Sequence, residues 1–288
     1  MSFSGIFAAG LSGVAAYSQS LESISSNIAN SQTDGFKRSV TSFSDLIPRD
    51  SAALSEAVGT GSVGQGVSAS SSVAADEQGS ISRTGTPTNI AISGQGFFVV
   101  SETVSSNDST ALFTRAGDFS ADADGNLLNS GGFYLQGIAA GTNGDAAVGT
   151  NLNGLETINI NRLPTNQSDL GELVEIDITA DGNVRGLYSN GQSENLFRVA
   201  LASFRNPQGL ERGGETTFLN NTNSGEPRLT APGDEGTGSI ESSAIEISTV
   251  DISQEFSTLI QTQRAYSTNA RLISVADELL STLVSTAQ

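Results

Sequence analysis

The chain has 288 residues, a length that fits one large domain or two ordinary ones. Its 13 basic and 31 acidic residues give a formal charge of -18, which argues against nucleic-acid binding because phosphate contacts need clustered Lys and Arg. The sequence contains no Cys and no His, so it lacks disulfides, thiolate metal ligands and the commonest general base. We therefore predict no catalytic residue, no cofactor and no metal site.

The start of the chain and its apolar runs bear on export and membranes. The first residues lack the basic region of a secretory signal peptide. No apolar run reaches the roughly 18 residues that a membrane span requires. We expect no membrane insertion, and any export would proceed without a cleaved signal peptide.

Residues 4–31 are predicted to form a first helix, rich in Ala and Ser, with Glu22 as its only charged residue. Apolar residues recur in this segment at alternating steps of four and three, which places them on one helix face and forms a seam for another helix. The predicted packing residues are Phe3, Phe7, Val14, Tyr17, Leu21, Ile24 and Ile28, with Gly10 among them. Asn30, Asp34 and Gly35 supply a stop signal.

The middle of the chain has a different residue pattern, without the helical periodicity of the two ends. Residues 34–70 are predicted as an extended connector, because Pro48 and several Gly and Ser residues interrupt any periodic pattern. From residue 71 to 249, short β-type runs alternate with turn residues, which predicts a β-rich domain. Residues 90–92 and 97–100 flank a Gly-containing segment and read as a hairpin, and residues 197–204 read as one alternating strand. Two Asp-Gly pairs, at Gly125 and Gly182, predict tight turns between strands.

The last predicted helix begins near Asp251, a good N-cap residue, and continues without Gly or Pro to about Thr286. A helix of roughly 50 Å is typical of coiled coils and assemblies. Its predicted packing residues are Ile252, Phe256, Leu259, Tyr266, Ile273, Leu280 and Val284, and the polar Gln263 and Asp277 interrupt that seam. Two amphipathic ends around a β-rich middle indicate termini that pack together and onto neighbouring copies.

Other motifs favour ordinary turns and solvated side chains. The segment from Asp122 could be mistaken for a calcium loop, but Phe133 stands where such a loop needs Glu. The nearest carboxylate pairs for glycoside hydrolysis are Asp122 with Asp124 and Glu172 with Glu175. A secreted β-rich enzyme and an adhesin-like binding module remain alternatives, although neither explains seam-forming helices at both ends.

Four ordered motifs, which together span nearly the whole chain, resemble those of bacterial flagellar rod and hook proteins. They lie at residues 26–37, 89–98, 113–127 and 250–266. The residues that carry the resemblance include Asn27, Asn30, Gly35, Phe36, Gly94, Gly96, Phe97, Phe98, Gln263, Arg264 and Tyr266.

This resemblance implies a non-enzymatic subunit that leaves the cell through the flagellar type III export apparatus and polymerises into a helical tube. It implies an α+β fold in which residues 1–33 and 250–288 pair as a coiled-coil domain lining the tube, and an antiparallel β-rich domain, residues 71–249, lies outside. The implied partners are further copies of the chain and the adjoining axial proteins of the rod and the hook–filament junction.

Within this family the sequence resembles the hook subunit, which couples rod torque to the filament, at residues 1–4, 41–46, 188–192 and 202–210. Hook proteins usually carry an additional outer domain, and here only residues 141–171 lie where it would sit. The connector at residues 47–66 resembles that of the distal rod protein. The last two features weigh against the hook, but on the segments at residues 1–4, 41–46 and 188–192 we interpret the chain as a subunit of the extracellular hook. The alternative is the distal rod of the basal body, at the level of the periplasm and outer membrane.

Overall fold

A computed structural model describes residues 3–46, 66–104, 111–141, 152, 154–162, 171–214, 216–234 and 236–286. The chain divides into two compact units. The helical unit comprises Met1–Ala29, Ser39–Ser72 and Val250–Gln288. The β unit comprises Asn30–Arg38 and Val73–Thr249. The fold is α+β.

The helical unit contains α1 (Phe3–Ala29) and α2 (Ile252–Thr286), which confirm both predicted helices. The start of α2 shows the predicted N-cap, because the Asp251 carboxylate accepts hydrogen bonds from the amides of Ser253 (2.8 Å) and Gln254 (3.1 Å). These bonds satisfy two of the amides that a helix leaves without partners at its N-terminus. Across the described residues, neither helix combines the length and apolarity that a membrane crossing would need.

A β-hairpin completes the helical unit. Strands β1 (Ser39–Asp45) and β2 (Val67–Val73) pair with each other, so the segment predicted as a connector contains β1 and the start of β2. Residues 47–65 of that segment lie outside the described residues. Asn27 fixes the beginning of β1, because its side chain accepts from the Ser39 amide (2.8 Å) and donates to the Ser39 carbonyl (2.9 Å). The carboxamide thus supplies both hydrogen bonds that a neighbouring strand would supply.

The β unit consists of short antiparallel strands. They are β3 (Ile81–Arg83), β4 (Ile90–Ser93), β5 (Phe97–Ser101), β6 (Leu112–Thr114), β7 (Ser120–Ala121), β8 (Leu127–Leu128), β9 (Tyr134–Ala139), β10 (Glu156–Thr157), β11 (Leu173–Ile178), β12 (Asn183–Tyr188), β13 (Ser193–Val199), β14 (Leu201–Ser203), β15 (Glu211–Arg212), β16 (Thr217–Leu219), β17 (Arg228–Thr230), β18 (Ser239–Ser242) and β19 (Ala244–Glu246). The main sheet has the order β11-β12-β13-β9-β5-β6-β16-β15, and β7, β8, β10, β14 and β17 pair beside this path. Two small sheets pair β18 with β4 and β19 with β3.

Strand β5 lies at the centre of the core. Phe98 and Val100 belong to one hydrophobic cluster, while Phe97 and Val99 belong to a second one. Alternate side chains of a strand point to opposite faces of a sheet, so β5 has packed side chains on both faces. This double burial explains why its sequence is continuously apolar rather than alternating.

Both predicted Asp-Gly turns are confirmed. Gly125 joins β7 to β8, and Gly182 joins β11 to β12. Their φ angles of 87° and 82° lie in the left-handed region that glycine adopts without a steric penalty. The turn residues therefore determine these two hairpins locally.

The predicted hairpin between β4 and β5 is wrong. Strand β4 pairs with β18, and β5 pairs with β6, β9 and β14. Gly94 and Gly96 have φ angles of 116° and 129° and redirect the chain from one sheet to another instead of closing a turn. A Cβ atom on Gly94 would lie 2.8 Å from the Cα atom of Gly238, so the position requires glycine.

The single strand predicted over residues 197–204 is also divided. Strand β13 ends at Val199 and pairs with β12 and β9, whereas β14 begins at Leu201 and pairs with β17 and β5. Ala200, which is fully buried, separates the two. The chain therefore changes partners at this residue, with β13 beside β9 and β14 beside β5.

Candidate assembly surface

Within the helical unit, α1 and α2 run antiparallel and pack along a seam of mainly small and polar side chains. These positions follow alternating steps of three and four, and all of them are buried or half-buried. The seam residues are Gly10, Gly13, Tyr17, Ser20, Ile24 and Asn27 in α1, and Glu255, Leu259, Thr262, Tyr266, Asn269, Ile273 and Ala276 in α2.

Two glycines set the distance between the helices. A Cβ atom on Gly13 would lie 2.7 Å from the Asn269 Oδ1 atom, and one on Gly10 would lie 3.0 Å from the Ile273 Cγ1 atom. A side chain at Gly13 would require the end of the Asn269 side chain to turn away, and one at Gly10 would crowd Ile273 close to its backbone. The small residues of α1 therefore permit a close approach.

A buried hydrogen bond fixes the register of the seam. The Asn27 side chain donates to the Glu255 Oε1 atom (3.2 Å), and both residues are less than a tenth exposed. A buried carboxylate requires polar partners, because burying an unpaired charge costs on the order of several kcal/mol. Asn27, which also holds Ser39, thus links α1, β1 and α2.

The predicted packing residues fall partly on this seam and partly beside it. The seam includes Tyr17 and Ile24 of α1 and Leu259, Tyr266 and Ile273 of α2. At the seam positions between these residues, the prediction chose the residue next to the one that the seam uses, in both helices. It selected Phe7, Val14, Leu21, Ile28 and Phe256, where the seam uses small or polar residues such as Gly13, Ser20, Asn27 and Glu255.

Other predicted packing residues retain considerable exposure in the single subunit. Phe7 and Phe256, beside the seam, are 40% and 49% exposed. Ile252 and Leu280, which continue the seam spacing at the two ends of α2, are 42% and 40% exposed. Val14, Leu21 and Ile28 are half-buried, whereas the side chains of Phe3 and Val284 lie outside the described residues. The packing between subunits that was predicted for this set stays a prediction.

In the β unit, residues from three of the family motifs meet at a buried ionic cluster. The Glu246 carboxylate accepts hydrogen bonds from the Lys37 ammonium, from Arg115 Nη1 (3.1 Å) and from the Gly79 amide (2.6 Å). Lys37 and Glu246 are fully buried, and Arg115 is 3% exposed. Burial lowers the pKa of Lys37, and the adjacent Glu246 carboxylate opposes that shift. Arg115 also donates to the Gly94 carbonyl (2.8 Å).

Backbone hydrogen bonds next to this cluster connect the first segment of the β unit, Asn30–Arg38, with its last residues. The Gly35 amide donates to the Glu246 carbonyl (2.7 Å), and the Thr249 amide donates to the Phe36 carbonyl (3.1 Å). Gly35 has a φ angle of 67°, and a Cβ atom there would lie 2.3 Å from the Ala116 nitrogen. Glycine is therefore required at this position.

The carboxylates considered for hydrolysis serve local structure or face solvent. The Asp122 Oδ1 atom accepts hydrogen bonds from the amides of Asp124 (2.9 Å) and Asn126 (2.8 Å), which closes the turn. Hydrogen bonding from the Asn126 side chain lowers the pKa of Asp122. Glu172 and Glu175 are exposed. Among the described residues, no cluster of three or more potential metal-binding side chains is present.

Models of three protein domains match the chain in order. They are described as a flagella basal body rod protein domain at residues 7–37, the flagellar hook protein FlgE/F/G D1 domain at residues 91–186, and the flagellar basal body rod FlgEFG protein C-terminal domain at residues 241–286. The first and last matches cover parts of α1 and α2, and the second covers much of the β unit.

Curated relatives align along nearly the full chain. The flagellar basal-body rod protein FlgG of Bacillus subtilis is 30% identical over 96% of both chains. The FlgG protein of Caulobacter vibrioides is 34% identical over 93% of this chain and 94% of its own length. The flagellar hook protein FlgE of Brucella suis is 26% identical over 99% of each chain. The chain therefore belongs to the flagellar basal-body rod and hook protein family, whose members are structural components of the flagellum and not enzymes.

Proposed function

We propose that the chain is an axial rod subunit of the flagellar basal body, which assembles with further copies of itself into a helical tube. The observation that carries the choice of rod is the length over which the relatives align. The two rod relatives align over 282 and 279 positions, close to the 288 residues of this chain. The alignment with the hook relative extends over 407 positions, because that protein carries additional residues that this chain lacks.

The geometry of the helical unit supports polymerisation. Its seam pairs α1 with α2 along the steps of three and four that are typical of a coiled coil. Large apolar side chains stay exposed in the single subunit, among them Phe7 with Leu11 on α1 and Ile252 with Phe256 on α2, each pair one helical turn apart. Exposed apolar patches mark interaction sites, so we propose that neighbouring subunits cover these residues. Delivery through the flagellar type III export apparatus and contact with adjoining axial proteins belong to this proposal.

The hook subunit is the second candidate. The Brucella suis hook protein aligns over 99% of both chains, and a 115-residue segment is 40% identical to the hook protein of Borreliella burgdorferi. The resemblance at residues 1–4, 41–46 and 188–192 also favours the hook. Under this proposal the chain would lie in the extracellular hook and couple the rod to the filament.

A deletion strain separates these functions. If the chain is a rod subunit, purified basal bodies from the strain will contain a shortened rod without a hook. If it is a hook subunit, they will contain a complete rod and rings without a hook. Electron microscopy of the basal bodies measures this directly, and complementation with the intact gene is the control. Basal bodies of normal length with hooks and filaments would contradict both candidates.

A further inference from the structure

Each helix has a second face, turned away from the α1–α2 seam, which we call its outer face. Both outer faces combine exposed apolar and charged side chains at helical spacing, and their large apolar members are 40–55% exposed. The outer face of α1 consists of Phe7, Leu11, Ala15, Ser18 and Glu22, and the outer face of α2 consists of Phe256, Ile260, Arg264, Arg271, Val275 and Leu279.

The charges of the two outer faces are complementary. Glu22 is the only charged residue of α1, and Arg264 and Arg271 are the only basic residues in the described part of the helical unit. Neither Glu22 nor Arg264 forms an ion pair with any residue that the structure describes. Glu22 on one face and Arg264 and Arg271 on the other are therefore suited to meet in different subunits. The outer face of α2 also carries the exposed Glu278, which lies beyond Arg271 towards the end of the helix.

The register within one subunit keeps these groups apart. Facing residues of the antiparallel pair have numbers that add up to 282, as for Gly13 with Asn269 and Asn27 with Glu255, or to 283, as for Gly10 with Ile273. Glu22 therefore lies level with Ile260, about four residues or roughly 6 Å from Arg264 along the helix. An axial displacement of that size would bring Glu22 level with Arg264 in a like-oriented second copy.

The same displacement aligns the apolar residues. It brings Leu11 level with Val275 and Phe7 level with Leu279, all of which are exposed in the single subunit. Pairing Glu22 with Arg271 instead would place Leu11 level with Thr282, a polar residue. One displacement of about four residues thus aligns the charged pair and both apolar pairs. The two helices then run antiparallel, as α1 and α2 do within the subunit.

We propose that the outer face of α2 receives the outer face of α1 from a second copy of this chain, displaced axially by about four residues, with Glu22 paired with Arg264. This inference rests on the proposed assembly of the chain into an axial polymer. It adds the face, the register and the charged pair through which neighbouring copies recognise each other.

A charge-exchange experiment in cells tests the pair. Glu22→Arg and Arg264→Glu should each lower the amount of the protein in purified hook–basal bodies by about tenfold or more, because each places like charges together. Glu22→Arg combined with Arg264→Glu should recover at least about half of the wild-type amount, since the attraction is restored with its sign reversed. The matched control, Glu22→Arg with Arg271→Glu, should stay defective. Failure of the first combination to recover, or equal recovery in the control, would overturn the pairing.

Disulfide cross-linking tests the register without relying on charge. The chain contains no Cys, so introduced pairs are unique within it. Oxidation of intact basal bodies carrying Leu11→Cys and Val275→Cys should give a ladder of covalent multimers, and each single substitution should give none. Leu11→Cys with Thr268→Cys, one heptad away, is the register control and should also give none.

The outcomes distinguish this inference from the proposed function. If wild-type protein is absent from purified basal bodies, the proposed function fails. If the double-cysteine subunit assembles normally and gives no ladder, the register fails while the function stands. Phe7→Cys with Leu279→Cys probes the same register should the first pair prevent assembly, and the absence of a ladder from both pairs would overturn the inference.

Discussion

The β unit and the helical unit differ in how completely each buries its own apolar side chains. In the β unit, Phe98, Phe113 and Phe218 are fully buried. The buried Glu246 also forms ion pairs with Lys37 and Arg115. In the helical unit, Leu11 and Phe256 are about half exposed. Hydrophobic burial is the dominant favourable contribution to folding, so the β unit contains its own source of stability. The helices obtain less of their stability from apolar contacts within the subunit.

The seam between the helices strengthens this contrast. Gly10 and Gly13 allow close contact but bury little apolar surface, and helix α1 depends on packing because isolated helices are marginal in water. A subunit built in this way can fold its β unit before assembly and complete its helical unit on assembly. The difference between the units therefore fits the proposed export as a monomer and assembly into a polymer.

Limited proteolysis of the monomer should show the largest effect. We expect both terminal helices to be removed while a fragment near residues 70–249 resists, because local opening costs almost nothing in weakly packed segments and up to roughly 5–15 kcal/mol in a stable core. Mass spectrometry of the fragments measures the boundaries. Assembled protein is the control and should resist at both ends. A demonstrably monomeric sample that resists cleavage along its full length would show that the helices are stable without neighbours.

Glu246→Gln should destabilise the β unit by about 3–5 kcal/mol, since it leaves the cations of Lys37 and Arg115 buried without a carboxylate. Urea denaturation of the purified monomer measures the free energy of unfolding. Glu241→Gln, a similar change at an exposed residue of β18, should leave it within about 0.5 kcal/mol of wild type. Equal stability of both variants would mean that the cluster contributes nothing to folding.

Several elements could be predicted from the sequence because their signals are local. The ends of α1 and α2 follow from a stop segment and from the Asp251 cap. The hairpins at Gly125 and Gly182 follow from the positive φ angles that Asp-Gly turns require. The partner of β4 could not be predicted in this way, because β18 lies far along the chain and a fully buried strand gives no alternation that identifies its neighbour.

The helix seam and the ionic cluster escaped sequence reasoning for different reasons. Ranking positions by hydrophobicity selects Phe7 and Phe256, whereas close helix packing favours the small Gly13 and the hydrogen-bonded Asn27. The spacing of small residues in α1 was a usable signal for the seam. The ionic cluster had none, since Lys37 and Glu246 are separated by most of the chain and only the folded β unit brings them together.

Leu280→Asp should prevent polymerisation and leave the β unit folded, because it places a charge at the end of the helix seam. The proposed assembly would bury that charge at a cost on the order of several kcal/mol. Ile28→Asp should act in the same way from α1. Electron microscopy measures assembly, and circular dichroism together with urea denaturation measures the β unit. Leu280→Met, which keeps an apolar side chain, should assemble. Normal tubes from either Asp variant would contradict the packing role of these residues.

The smallest expected effect concerns the beginning of α2, where the Asp251 carboxylate holds two amides. Asp251→Ala should destabilise the first turn of this helix by about 1 kcal/mol, since an N-cap side chain is lost without a substitute. Hydrogen exchange of amides near residues 252–255 in the assembled protein should then accelerate by roughly fivefold, as expected for that change in local opening. Asp251→Asn keeps an oxygen that can cap the helix and should exchange nearly as slowly as wild type. Equal acceleration in both variants would attribute the effect to the lost charge, and no acceleration in Asp251→Ala would show that assembly alone holds this turn. In the second case the helical unit would depend on its neighbours even more strongly than its cap and seam indicate.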